Sequence, residues 1–206
     1  MKATVRERKR GQAQEIMWDA MEAASGDDAA KAESLCRKAI EVYPDCVDAL
    51  TMLAEIECEF TKDYVEKLRE AVEAGRRDLG PACFKEERGY FWGLIETRPF
   101  MRAMAQLGFA LLDWGTPERI DEAIGVFEEM LELNPDDNQG VRDVLAGSYL
   151  ARKRYTDTAE LFDRYPEDWL AAPAWAKVLL AFVTEGADAA TAPLAEARER
   201  NAHVEA

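Results

Sequence analysis

The chain has 206 residues, of which 48% are hydrophobic and 33% charged, the balance of a folded protein rather than a disordered one. With 41 acidic against 26 basic side chains its formal net charge is -15, a field that repels phosphate backbones, so no nucleic-acid partner is expected. No apolar run approaches the ~20 residues of a membrane-spanning helix, and the N-terminal "MKATVRERKRGQ" lacks the apolar core of a secretory signal, which points to a cytoplasmic protein without a membrane span.

In chain order, the basic residues Lys2, Arg6, Arg8, Lys9 and Arg10 either meet an acidic partner or, the reading preferred because positive charge opposes the dipole at a helix N-terminus, form a frayed, solvated end. A first helix follows, with Ala13, Ile16, Met17, Ala20, Met21 and Ala24 at three- and four-residue steps. "SGDD" breaks it. A second helix carries the stripe Ala32, Leu35, Cys36, Ala39 and Ile40 and ends at Pro44, after which Asp45 is placed to cap a third. "DYVEKLREAVEAGRRDLG" makes a further helix, and residues 80–98 read as an insertion.

After the insertion, Phe100, Ala103, Met104, Leu107, Leu111 and Trp114 form one stripe of a helix beginning near Thr97. "GTPERIDEA" then starts another, with Thr116 as cap and Pro117 at the first helical position. Gly147, Leu150, Tyr155 and Ala159 place a degenerate pair, and Trp175, Phe182 and Gly186 a last one. Pro173 and Pro193 argue that their helices start only just before them.

The stripes repeat. Ala32, Cys36, Ala39 and Pro44 stand four, three and five residues apart, as do Ala123, Phe127, Met130 and Pro135. Leu107, Gly108, Leu111 and Gly115 supply the small-residue contact and turn of a first helix. This pattern resembles the tetratricopeptide repeat, a helix pair of about 34 residues with small side chains where the helices cross. The "GTPERIDEA" turn is about three residues longer than that repeat uses. The expected fold is therefore all-α: a tetratricopeptide-like solenoid of about ten helices in four to five antiparallel pairs. It forms a single helical-repeat domain, with N-terminal pairs over 1–79, the insertion at 80–98 and C-terminal pairs over 99–206.

Two further stretches, "GYFWGLIETRPFMRA" (residues 89–103) and "NPDDNQGVR" (134–142), resemble bacterial tetratricopeptide proteins similar to the suppressor of tumorigenicity seven family. The resemblance covers residues 89–168 and, more weakly, both flanks. It implies a helical-repeat interaction protein with no assigned reaction.

The sequence carries no phosphate-binding glycine loop, no G-x-S-x-G and no H-E-x-x-H. Its only histidine is His203, and Cys36, Cys46, Cys58 and Cys83 form no C-x-x-C pair, so neither a zinc site nor any other metal or cofactor is expected. The cysteines read as reduced thiols. Asp136, Asp137 and Asn138 lack the frame of an EF-hand and read as a polar turn capping the next helix.

What remains is binding. If Gly108 occupies the small-residue place, Arg102, Phe109 and Leu112 turn from the paired helix toward the concave side. Gly147 sets the same register for Val141, Val144 and Arg152, and Ala54 for Asp48, Glu55 and Glu59. The groove is then acidic at its N-terminal end and apolar with two arginines beyond, suited to an apolar segment bearing a carboxylate. The competing reading has Arg102 and Arg152 pair with neighbouring carboxylates. Tyr90, Phe91 and Trp92, followed by Arg98, either dock on the edge of a helix pair or line and plug the groove. These readings converge on a non-enzymatic, cytoplasmic scaffold, a monomer or weak homodimer, that binds a protein or peptide segment. Alternatives are a chaperone for an export substrate, an enzyme without a recognisable motif and, against the charge, an RNA-binding array.

Overall fold

The structure, a computed structural model, describes residues 4–58, 61–166, 170–201 and 203–204. Among these it is helical throughout: α1 (Val5–Ser25), α2 (Ala29–Val42), α3 (Val47–Glu57), α4 (Thr61–Glu86), a 3-10 turn (Ile95–Thr97), α5 (Arg98–Trp114), α6 (Pro117–Leu133), α7 (Val141–Ala151), α8 (Tyr155–Arg164), α9 (Ala171–Glu185) and α10 (Ala187–Arg200). Each helix packs against the next within two compact units, Met1–Asn138 and Gln139–Ala206. That division falls inside the segment 99–206 that the sequence reads as continuous.

In the first unit the repeat spacing marks the core. Ala32, Cys36 and Ala39 of α2 are wholly buried, as are Ala123 and Phe127 of α6, with Met130 nearly so. Small residues sit where helices cross closely. A Cβ on Gly108 would stand 2.6 Å from Cζ of Phe127, and one on Gly75 would stand 2.6 Å from Cδ2 of Phe100. Only hydrogen fits at either place, which lets α5 lie close against α6 on one side and against α4 on the other.

Several local expectations are corrected. The α1 stripe runs through Ala13, Ile16, Met17, Ala20 and Ala23, while Met21 and Ala24 fall outside it. The N-terminus of α1 is not frayed. Thr4 and Glu7 form a reciprocal capping box, and Arg6 and Arg10 reach Asp78, whose side chain is almost buried. Cys46, not Asp45, occupies the cap of α3, because Asp45 is bound to Arg77 at 2.8 Å. Thr116 does precede α6, but its side chain makes no capping bond. The 134–140 turn forms, with Asp137 and Gly140 in the left-handed region. Gly140 rather than an acidic side chain then stands at the cap of α7. Pro193 lies well inside α10, whose start is Ala187.

The insertion begins with a bend. Gly80 has φ 71° and ψ 163°, a conformation L-residues avoid, and Pro81 restarts the helix as far as Glu86. Phe84, Phe91 and Phe100 then stack into one cluster with ring centroids 5.1 to 6.2 Å apart. The backbone N–H groups of Gly89 and Phe91 both donate to Leu133 O at 3.1 Å, fastening the insertion to the end of α6. Arg76 lies over the Phe84 and Phe100 rings and holds Glu129 of α6 through two parallel bonds of 2.8 and 2.7 Å.

In the second unit the expected register is wrong by one residue. Gly147 and Ala159 are exposed, and Gly147 faces open space, whereas Leu145, Ala146, Tyr149 and Thr158 are buried. Ala146 therefore holds the small-residue place that glycine holds in α5. The four cysteines are free, and burial pushes the Cys36 and Cys46 thiols up to about 11.

Candidate functional site: a groove between the first helices of three pairs

The first unit carries a groove of about 860 Å³ bounded by the first helices of its three pairs, α1, α3 and α5. Helix α1 presents Arg10, Gln14, Trp18 and Met21 to it at i, i+4, i+8 and i+11, a face adjoining the core stripe. Helix α3 offers its first turn, Val47 and Asp48. The far wall is the 3-10 turn and the start of α5: Ile95, Glu96, Arg98, Pro99 and Arg102.

Its apolar side chains are unusually open. Trp18 is 62% exposed and Ile95 73%, with Met21 beside them on α1. An indole left in water beside two large aliphatic chains forgoes the burial that normally stabilises such residues.

Most of its charges are already paired. Asp78 accepts from the Tyr43 hydroxyl, meets Arg10 at 3.0 Å and lies near Arg6 at 3.6 Å. Arg6 also donates to the backbone oxygens of Arg77 and Asp78, and Arg10 to that of Glu96, tying α1 to α4 and the 3-10 turn. Asp48 is buried and accepts twice from Nη2 of Arg102, at 2.7 and 2.8 Å. Further along the same two helices, one turn on in α5 and two in α3, Gln106 donates to Glu55 at 2.8 Å.

Arg98 differs. Its Nε donates to Trp92 O at 2.9 Å and its guanidinium lies 5.5 Å from the centre of the Trp92 ring. That bond and that ring fix the plane of the group. Its two Nη atoms have no partner among the described residues.

Of the residues expected from sequence, Arg98 and Arg102 thus line the groove. Arg102 is half-exposed but committed to Asp48, which is the competing reading of that arginine. Phe109 does not turn clear of the paired helix, because its ring packs edge-on against Phe127 of α6 at 5.5 Å. Leu112 is half-buried beyond the groove.

Val141, Val144 and Arg152 belong to the second unit. Val141 is buried rather than exposed, since with Ala146 in the small-residue place it takes the core position that Ala103 holds in α5. Val144 is half-buried, and Arg152 is the C-terminal cap that follows α7. Glu59 lies outside the described residues.

The aromatic run divides. Phe91 is completely buried as a plug between α4 and α5, and so lines no groove. Tyr90 is 71% exposed, and Trp92 serves as the platform for Arg98. The insertion's contribution to the groove is instead Ile95 and Glu96. Sequence reasoning missed Trp18, Ile95 and Pro99. The signal for Trp18 was present, since it falls outside the Ala13–Ile16–Met17–Ala20 stripe of a helix that is otherwise polar there.

No protein-family model matches the sequence, and no curated protein does. Among solved structures the chain is similar to YrrB, a tetratricopeptide-repeat protein with an unusual peptide-binding site, at 15% identity and a TM-score of 0.67, covering 92% of this chain and 87% of that one. It also matches, at TM-scores of 0.45 and 0.41, a thermophilic tetratricopeptide protein of Thermus thermophilus (14% identity, 94% of this chain and 93% of that one) and PilF of Pseudomonas aeruginosa (19%, 97% and 95%). Helix pairs, small-residue crossings and the likeness to YrrB agree: the chain has an all-α, tetratricopeptide-like solenoid fold.

Proposed function

We propose that the protein is a non-enzymatic, cytoplasmic scaffold that binds a peptide segment of a partner protein in the groove between α1, α3 and α5. The observation that carries this reading is the combination at one place of exposed Trp18 and Ile95 with an arginine, Arg98, whose plane is fixed and whose Nη donors are unspent among the described residues. A rigid cation beside open apolar side chains suits a ligand that offers a carboxylate next to one or two apolar residues. The peptide-binding site ascribed to YrrB shows that this fold can serve the purpose, and the resemblance to bacterial relatives of the suppressor of tumorigenicity seven family fits the same role. No reaction and no cofactor enters the account.

The site is tested with a combinatorial library of short synthetic peptides, selected on the purified protein and then titrated by tryptophan fluorescence. Selected sequences should carry an acidic residue adjacent to an apolar one. Arg98→Ala should weaken them by about ten- to a hundredfold, the range for losing a hydrogen bond to a charged group. Trp18→Ala, followed by calorimetry because the probe is lost, should weaken them as well. Wild-type affinity in both variants, with helix content unchanged, would place the binding surface elsewhere.

A further inference from the structure

One glycine stands where nothing inside the protein asks for it. Gly11 lies inside α1, has no left-handed φ and caps neither end of the helix. A Cβ built on it would meet no heavy atom within 4 Å among the described residues, so no other element crosses closely there. This sets it apart from Gly75 and Gly108, where a Cβ would strike a phenyl ring. Inside a helix, glycine gives up more backbone freedom on folding than alanine and packs nothing in return. Within the fold, the position is a cost without a benefit.

Its surroundings indicate what the space is for. Glu7, Gly11, Gln14, Trp18 and Met21 follow one another at steps of four and three, one face of α1, and all five line the groove with α3 and α5. On that stripe Gly11 is a notch between long side chains. The notch is also where the two walls are tied together. Arg10, its neighbour, reaches Glu96 O at 2.9 Å and Asp78 at 3.0 Å, which holds the 3-10 turn within one side chain's reach of α1. Arg98 follows Glu96 by two residues, so the oriented guanidinium belongs to the stretch that Arg10 ties down beside the notch.

We infer that Gly11 is a specificity-determining residue of this groove: the bound segment crosses α1 with its backbone against Gly11, while its carboxylate is held by Arg98 on the facing wall. The inference rests on the groove reading above and adds the place where the ligand crosses. A chain passing between walls that one arginine holds together needs room for its backbone and for a side chain reaching Arg98. The missing side chain on α1 supplies it. Gly125 and Gly147 also face open space inside helices, but neither lines the groove.

The test separates folding from binding, because a side chain at this position acts on the two with opposite signs. Gly11→Ala and Gly11→Leu each put a better helix former into open space and should raise the melting temperature by about 2–4 °C. Both should nonetheless weaken the peptides selected from the synthetic library on the wild type. For Gly11→Leu the loss should be about tenfold or more, the scale of forcing extra methylenes into a filled contact. Gly125→Ala, the control in the same unit, should raise the melting temperature and leave affinity unchanged. Wild-type affinity in Gly11→Leu, with Arg98→Ala still weakened, would overturn the inference and leave the groove reading standing. Wild-type affinity in both, or a library that yields no binder, would overturn the two together. A Gly11→Leu chain that melts below the wild type, or a Gly125→Ala chain that binds as weakly as Gly11→Leu, would also overturn the inference.

Discussion

Two glycines show how much a single hydrogen atom decides. Gly108 faces the Phe127 ring at a distance that admits no Cβ, so Gly108→Leu forces α5 away from α6 and should cost ~1–3 kcal/mol or more. Gly147, in the middle of α7, faces open space. There Gly147→Ala only restricts the unfolded chain and improves helix propensity, and should stabilise by about 0.4–1 kcal/mol. Thermal melts of the two variants check both signs at once, and a stabilising Gly108→Leu would mean that the α5–α6 crossing is not as close as described. Both residues read alike in the sequence, as small residues at about the repeat position. Space around the Cβ, which spacing alone does not specify, separates them.

Among the elements, the aromatic insertion is held by one residue more than by its neighbours. Phe91 has no exposed surface, packs on Phe84 and Phe100, and its carbonyl accepts from the Thr97 hydroxyl at the foot of α5. Phe91→Ala should therefore cost ~3–5 kcal/mol, whereas Tyr90→Ala, at an open position, should stay within about 0.5 kcal/mol. Denaturant titration measures both, and equal costs would contradict the division of the run. Helices were legible wherever an apolar stripe kept a three-to-four step, and the repeat positions read in α2 and α6 (Ala32, Cys36, Ala39, Ala123, Phe127 and Met130) are all buried, while Leu35 and Ile40 are only half-buried and Ile124, Leu131 and Leu133 went unread. The second unit slipped by one because α7 offers Ala146 and Gly147 side by side, and only packing distinguishes them. The groove was half legible. Its arginines were found, but Arg102 is taken by Asp48 across a helix pair, and Ile95 comes from a turn that carries no periodicity.

Over the whole molecule, a net charge of -15 makes the paired arginines more informative than their number suggests. Arg6, Arg10, Arg77 and Arg102 are each bound to a carboxylate around the groove, so an incoming carboxylate meets Arg98 as the oriented cation with donors to spare. The central claim, that the peptide groove lies between α1, α3 and α5, is tested most directly by hydrogen exchange of the protein with and without a library-selected peptide. The account predicts slowed exchange in the Arg10-to-Met21 face of α1, the first turn of α3 and the turn leading into α5, with α6 and α10 unchanged. Protection confined to α9 and α10, or spread along α4 and α6, would contradict it.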